Sequence, residues 1–201
     1  MTRWLRQLPS CCRAIIWCMK LVQPTLTYPE LRLMPDDGKR YELIDGEVFV
    51  SPSPSEKHQR ALGALFASIY VHATANRLGR VYVAPFDVVL GEKTALQPDI
   101  LFVSASRLGI IGPEYIIGSP DLVVEVLSPH RVSYDRVTKL EQYALHGVGE
   151  YWLIDPMAEN VALHLLRGER YELKETLNGD QILSTSLLPG WEIPVRRLFQ
   201  E

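Results

Sequence analysis

A chain of 201 residues with 47% apolar and 22% charged residues has the length and hydrophobic content for one domain with its own core. Its net charge of -3 excludes a molecule-wide basic field that would draw it onto nucleic acid or an anionic membrane, so any such contact must be local. The three cysteines, Cys11, Cys12 and Cys18, match neither a disulfide framework nor a zinc spacing, which argues for free thiols in a reducing, cytoplasmic compartment.

Near the start, Arg13 and Lys20 bracket only Ala14 to Met19, too short a run for a signal sequence or a membrane span. Residues 1–24 are expected to be a disordered tail or a misplaced start, with Met19 an alternative N-terminus, and residues 25–201 a single domain. Tyr28 to Met34 suggests a short helix, closed by the turn cluster Pro35-Asp36-Asp37-Gly38. Tyr41 to Ile44 and Glu47 to Val50 read as a hairpin about Asp45-Gly46. Ser53-Pro54-Ser55-Glu56 reads as a helix start capped by Ser53, the helix running to about Leu78 with His58, Leu62, Leu65 and Ile69 on one face and Phe66 beside them.

Val81 to Val83, Val88 to Leu90, Asp99 to Val103 and Leu122 to Leu127 are then expected as the central strands. A second helix from about Ser133 to Leu145 stops at Gly147 and leads into the strand Tyr151 to Ile154. Val161 to Leu166 and Tyr171 to Leu177 form a C-terminal hairpin across Arg167-Gly168, suited to covering the sheet or pairing two subunits in a homodimer. The order of elements indicates an α/β (α+β mixed sheet) domain with two long helices flanking the sheet.

Two acids stand out against this pattern. Glu125 lies inside the run Leu122 to Leu127, where an ionised carboxylate is costly unless paired, and Asp99 opens a comparable strand after Pro98. One explanation is an arginine partner for each, such as Arg107, Arg131 or Arg136. The other is a shared hard cation: Mg2+ takes one or two carboxylates plus waters and substrate phosphate, and activates water against a phosphodiester. No Walker loop, dinucleotide fingerprint or zinc pattern is present, so no nucleotide cofactor is expected.

Pro98-Asp99 followed by Glu125-Val126-Leu127 resembles the signature of the PD-(D/E)XK nuclease superfamily. The longer string from Glu125 through Ser128-Pro129, Asp135, Lys139 and Tyr143 to Gly147-Val148-Gly149-Glu150-Tyr151-Trp152 is similar to the Uma-two family of restriction-endonuclease-like proteins. The resemblance implies a restriction-endonuclease-like core and a Mg2+-dependent cut in DNA, with Mn2+ as a substitute ion. It also implies metal ligands at Asp99, Glu125 and the Val126 carbonyl. The superfamily's lysine would stand at Leu127, so the resemblance moves that role to Lys139, although the helical count puts Val137, Leu140 and Ala144 on the core stripe and Lys139 away from it. It further suggests Glu47 as a third acid.

His58, on the sheet-facing side of its helix, can position a water or contact a phosphate, or can be a hydrogen-bonded core residue. Arg131 and Arg136, with His130 and Lys139, form the best local positive charge for holding DNA phosphates, a pattern that a solvated helix face explains nearly as well. The alternative function is a nuclease-fold module without turnover that binds nucleic acid or a protein partner, favoured by Leu127 and the acidic net charge.

Overall fold

Side-chain alternation along the apolar strands sets the layers of the molecule. Ile100, Phe102, Leu122, Val124 and Val126 bury into one core, while Leu101, Val103 and Val123 bury into a second on the opposite face. A strand covered on both faces carries no polar alternation, which is why these segments read as unbroken apolar runs.

The computed structural model describes residues 25–35, 37–51, 53–128 and 138–200. Its helices are α1 (Tyr28–Leu31), α2 (Glu56–Ala75) and α3 (Leu140–Leu145). The strands are β1 (Arg40–Ile44), β2 (Glu47–Ser51), β3 (Gly79–Val83), β4 (Asp87–Gly91), β5 (Thr94–Leu96), β6 (Ile100–Ser104) and β7 (Tyr115–Ile117). They continue with β8 (Leu122–Val126), β9 (Glu150–Asp155), β10 (Asn160–Arg167), β11 (Arg170–Asn178), β12 (Ile182–Ser184) and β13 (Glu192–Pro194).

A six-stranded sheet runs β11-β10-β9-β8-β6-β3, with β8 and β9 parallel and the other neighbours antiparallel. A five-stranded sheet runs β2-β1-β5-β4-β7, with only β4 and β7 parallel, and β12 and β13 pair separately. Ala61, Leu62, Leu65 and Ile69 of α2 cover one face of the six-stranded sheet, together with Leu183, Leu188, Trp191 and Leu198 from the C-terminal segment. Trp191 stacks on Trp152 with ring centroids 5.9 Å apart and donates its indole N–H to the Ser68 hydroxyl at 2.9 Å, joining that segment to α2. The opposite face packs on Ile44, Val88, Leu96 and Ile116 of the five-stranded sheet and on Tyr143 of α3. Among the described residues no helix is long and apolar enough to cross a membrane.

The mixed α+β class holds, and several details shift. The strands expected to be central divide between two sheets: β4 belongs to the five-stranded one, and β3 is the edge of the six-stranded one. The C-terminal hairpin β10-β11 extends the six-stranded sheet through β9. Ser55, not Ser53, caps α2, its hydroxyl accepting from the His58 amide, and α2 ends at Ala75 rather than near Leu78. The first half of the expected second helix and the residues 1–24 lie outside the described residues. At the Asp45-Gly46 turn both φ angles are positive, 50° and 82°, as a two-residue hairpin of this hand requires. A Cβ on Gly46 would meet the Thr25 Cβ at 2.4 Å, so glycine is needed there for space as well.

Leu65 is fully buried under α2 whereas Leu33 is 84% exposed. Leu65→Ala is expected to lower unfolding free energy by about 2–5 kcal/mol and Leu33→Ala by less than about 0.5 kcal/mol, read from urea titrations of both variants.

Candidate functional site

β6 and β8 run antiparallel with Ile100 opposite Val124, and one step further along lie Asp99 and Glu125. Directly opposed residues of an antiparallel pair share a face, with Cβ atoms about 4.5–5.5 Å apart. Both carboxylates are buried, Asp99 at 4% and Glu125 at 3% exposure.

Asp99 Oδ2 accepts from the Val126 amide at 2.9 Å and lies 3.1 Å from His58 Nε2, while Oδ1 accepts from Arg40 Nη1 at 3.4 Å. Because an ionised carboxylate only accepts, His58 Nε2 carries the hydrogen. Each of these donors has a separate origin: the neighbouring strand, the first turn of α2, and the start of β1. Arg40 is itself held by the Gln97 carbonyl, which accepts from Nη2 at 2.6 Å.

Glu125 Oε1 accepts from Lys139 Nζ at 2.9 Å and from the Tyr143 hydroxyl at 2.9 Å. Lys139 and Tyr143 are four residues apart on one face of the chain entering α3, so a single helical turn aims both donors at one oxygen. The same ammonium reaches Glu42 Oε1 of β1 at 2.8 Å, and Glu42 also accepts from the Gln97 amide at 3.0 Å and the Ser51 hydroxyl at 3.2 Å. Lys139 and Glu42 are 3% and 0% exposed.

Burial acts to push the Asp99 carboxyl up, but the His58 hydrogen bond and charge, the Lys139 charge and the Val126 amide together hold it below its ordinary value of 3.8. Burial, then the charges of Glu125 and Glu42, push the Tyr143 hydroxyl well above its ordinary range, so it stays a protonated donor. Three carboxylates thus gather around the buried Lys139 ammonium and the partly exposed Arg40 guanidinium, with His58 donating to Asp99.

The structure brings Asp99, Glu125, Val126, His58 and Lys139 together. It places Glu47 elsewhere: that residue begins the edge strand β2 beside the turn and is exposed, while Glu42, on the inner strand of the same hairpin, enters the cluster. The expectation that Lys139 points away from the core is also corrected. The buried positions of this segment are Lys139, Gln142, Tyr143 and Ala144, and Leu140 is only partly covered. Thr138 and Lys139 form a wider π-type turn ahead of α3, and the stripe facing the sheets is selected by carboxylates rather than by apolar side chains. Leu127, where the superfamily lysine would stand, is 3% exposed and packs in the second core.

Arg107, one of the arginines considered for the buried acids, instead donates to Asp121 Oδ1 at 2.8 Å. His130, Arg131 and Arg136 lie outside the described residues. Reading the sequence missed Glu42, Arg40 and Gln97. Glu42 carried a usable signal, since it alternates with Ile44, a core residue of the same strand.

Since the unfolded chain takes up the Asp99 proton at a higher pH than the folded chain, the stability from its ionised form is complete above about pH 4 and is lost as pH falls through the lower folded value. Urea titrations at stepped pH are therefore expected to show the wild type losing stability more steeply below about pH 4 than Asp99→Asn. Parallel curves would contradict the depressed carboxyl.

A family model described as "Putative restriction endonuclease", Uma2, matches residues 28–196. Among solved structures, the chain is similar to a crystal structure of a "putative nuclease belonging to DUF820" from Anabaena variabilis ATCC 29413. The TM-score is 0.73 and the identity 23%, with 87% of this chain and 97% of that one covered. No curated protein matches the chain. At that identity the structural likeness speaks to the fold, and the family match spans most of the sequence: the chain belongs to the Uma2 family, described as "Putative restriction endonuclease".

Proposed function

We propose that the chain is a Mg2+-dependent endonuclease that hydrolyses DNA phosphodiester bonds at the Asp99–Glu125 cluster. The observation that carries this reading is the pair of buried carboxylates opposed at the ends of neighbouring strands, with a lysine ammonium already hydrogen-bonded to Glu125. Buried acids of this kind are expensive, and a hard cation is the partner that gives them a use.

The donor chemistry fits such an ion. Among the described residues no group of three His, Cys, Asp or Glu side chains converges on one point. Mg2+ does not ask for three, since one or two carboxylates plus waters and substrate phosphate suffice. Asp99, Glu125 and the Val126 carbonyl would hold it, all through oxygen. When bound, the ion supplies an acidified water and neutralises charge on the phosphodiester.

The protein's own groups do the positioning. His58, Arg40 and the Val126 amide fix the Asp99 carboxylate, and His58, Lys139 and that amide keep it ionised. Tyr143 and Lys139 orient Glu125 through the same oxygen. The Lys139 ammonium stands beside the metal-binding carboxylates, where it can steady charge developing on the scissile phosphate. Glu42 holds that ammonium from the other sheet, which gives it a positioning role.

One observation favours the second reading, a binding module without turnover. Lys139 is engaged by two carboxylates, and Leu127 offers no second amine near Glu125. A plasmid nicking assay with Mn2+ separates the two. Wild type is expected to nick, Glu125→Gln to lose at least 100-fold in rate, and Lys139→Met to lose cleavage while still binding Mn2+ by calorimetry. Nicking that survives in Glu125→Gln, or is absent from the wild type, would remove the endonuclease reading.

A further inference from the structure

A groove of about 490 Å³ lies at the far end of α2, between that helix and the edge strand β3, lined by Tyr70, Thr74, Arg77, Arg80 and Tyr82. No carboxylate lines it, which is unusual on a chain with net charge -3. Arg77 and Arg80 are both exposed, and among the described residues neither guanidinium has an ion-pair or hydrogen-bond partner. Two unpartnered arginines beside each other are held apart from the acids that pair with arginine elsewhere, as Glu114 does with Arg32 and Asp121 with Arg107.

The backbone at Arg77 adds a second observation. Its φ is +55°, the left-handed position just past the helix end, where glycine or asparagine is the cheap choice. The chain keeps a long cationic side chain at a position whose conformation disfavours it, and strain of this kind points toward function.

Arg80 and Tyr82 come from the edge strand of the six-stranded sheet, pairing with Val103 and Leu101 on the strand inside it, so the groove lies at the rim of the sheet. Tyr70 is 47% exposed, so an aromatic ring stands in the groove beside the cations. Cations that track phosphates, with sequence-tolerant aromatic stacking between them, are what a single strand of nucleic acid requires.

We infer that the groove between α2 and β3 is a phosphodiester-binding track for a single nucleic-acid strand, with Arg77 and Arg80 on its phosphates and Tyr70 and Tyr82 against its bases. The groove does not rest on the nuclease reading. Its occupancy is separable from cleavage, because it involves none of the carboxylates or Lys139.

The test is fluorescence anisotropy of a labelled 20-nucleotide single strand, and of the equal-length duplex, in EDTA over a salt series. With Arg77→Glu/Arg80→Glu the single strand is expected to bind at least 10-fold more weakly, and the slope of log K against log salt to flatten by about 1.4, from two lost contacts at about 0.7 each. Should the charge reversal disturb folding, Arg77→Gly/Arg80→Gln relieves the backbone at residue 77 and is expected to weaken binding in the same direction with no fall in Tm. An unchanged affinity and slope, a wild type that does not bind, or an effect confined to the duplex would overturn the inference. Arginine-dependent binding by a protein that nicks nothing would leave the track standing and remove the nuclease reading instead.

Discussion

The Lys139 ammonium is the interaction on which the rest of this structure depends. It joins Glu42 of the five-stranded sheet to Glu125 of the six-stranded sheet, and it does so from the segment that leads into α3. Three elements far apart in sequence are thereby fixed to one another at a buried point. Breaking such a pairing from one side leaves a buried charge with no counterpart, at a cost of about 3–5 kcal/mol. That penalty makes the relative placement of the two sheets and α3 a single decision, and it also explains why a lysine occupies a stripe that apolar side chains would otherwise fill.

The same arrangement also serves the proposed chemistry. Asp99 is kept ionised by His58, Lys139 and the Val126 amide, and Arg40, anchored through the Gln97 carbonyl, fixes its other oxygen. Glu42, Asp99 and Glu125 converge where the two sheets meet, with Asp99 and Glu125 at the strand ends, which is where a cation and a phosphate would arrive. Stability and the proposed chemistry therefore draw on one cluster, and substitutions in it are expected to disturb both.

How much of this was legible in the sequence depended on whether a residue violated its surroundings. Glu125 and Asp99 could be singled out because a carboxylate inside an apolar strand is an anomaly that needs a partner. Glu42 was the same kind of anomaly in Tyr41-Glu42-Leu43-Ile44. It was overlooked because a hairpin read by itself gives no sign that its inner strand will face another sheet. Glu47 was preferred on resemblance, and its place on the edge strand left it in solvent. Lys139 was illegible for a different reason: counting apolar residues finds the stripe only when the core is apolar, and here the stripe faces carboxylates. The division of strands between two sheets was hidden as well, because both sheets supply short β-branched runs and nothing in a run declares its neighbours. The face of α2 that carries His58, Leu62, Leu65 and Ile69 was readable from period alone, since that helix does pack on an apolar layer.

The most direct measurement of the central claim is anomalous diffraction from crystals soaked in Mn2+. An ordered peak is expected about 2.0–2.2 Å from carboxylate oxygens of both Asp99 and Glu125, lost in crystals of Glu125→Gln. A peak elsewhere, or none at saturating Mn2+ with Lys139 still on Glu125, would contradict it.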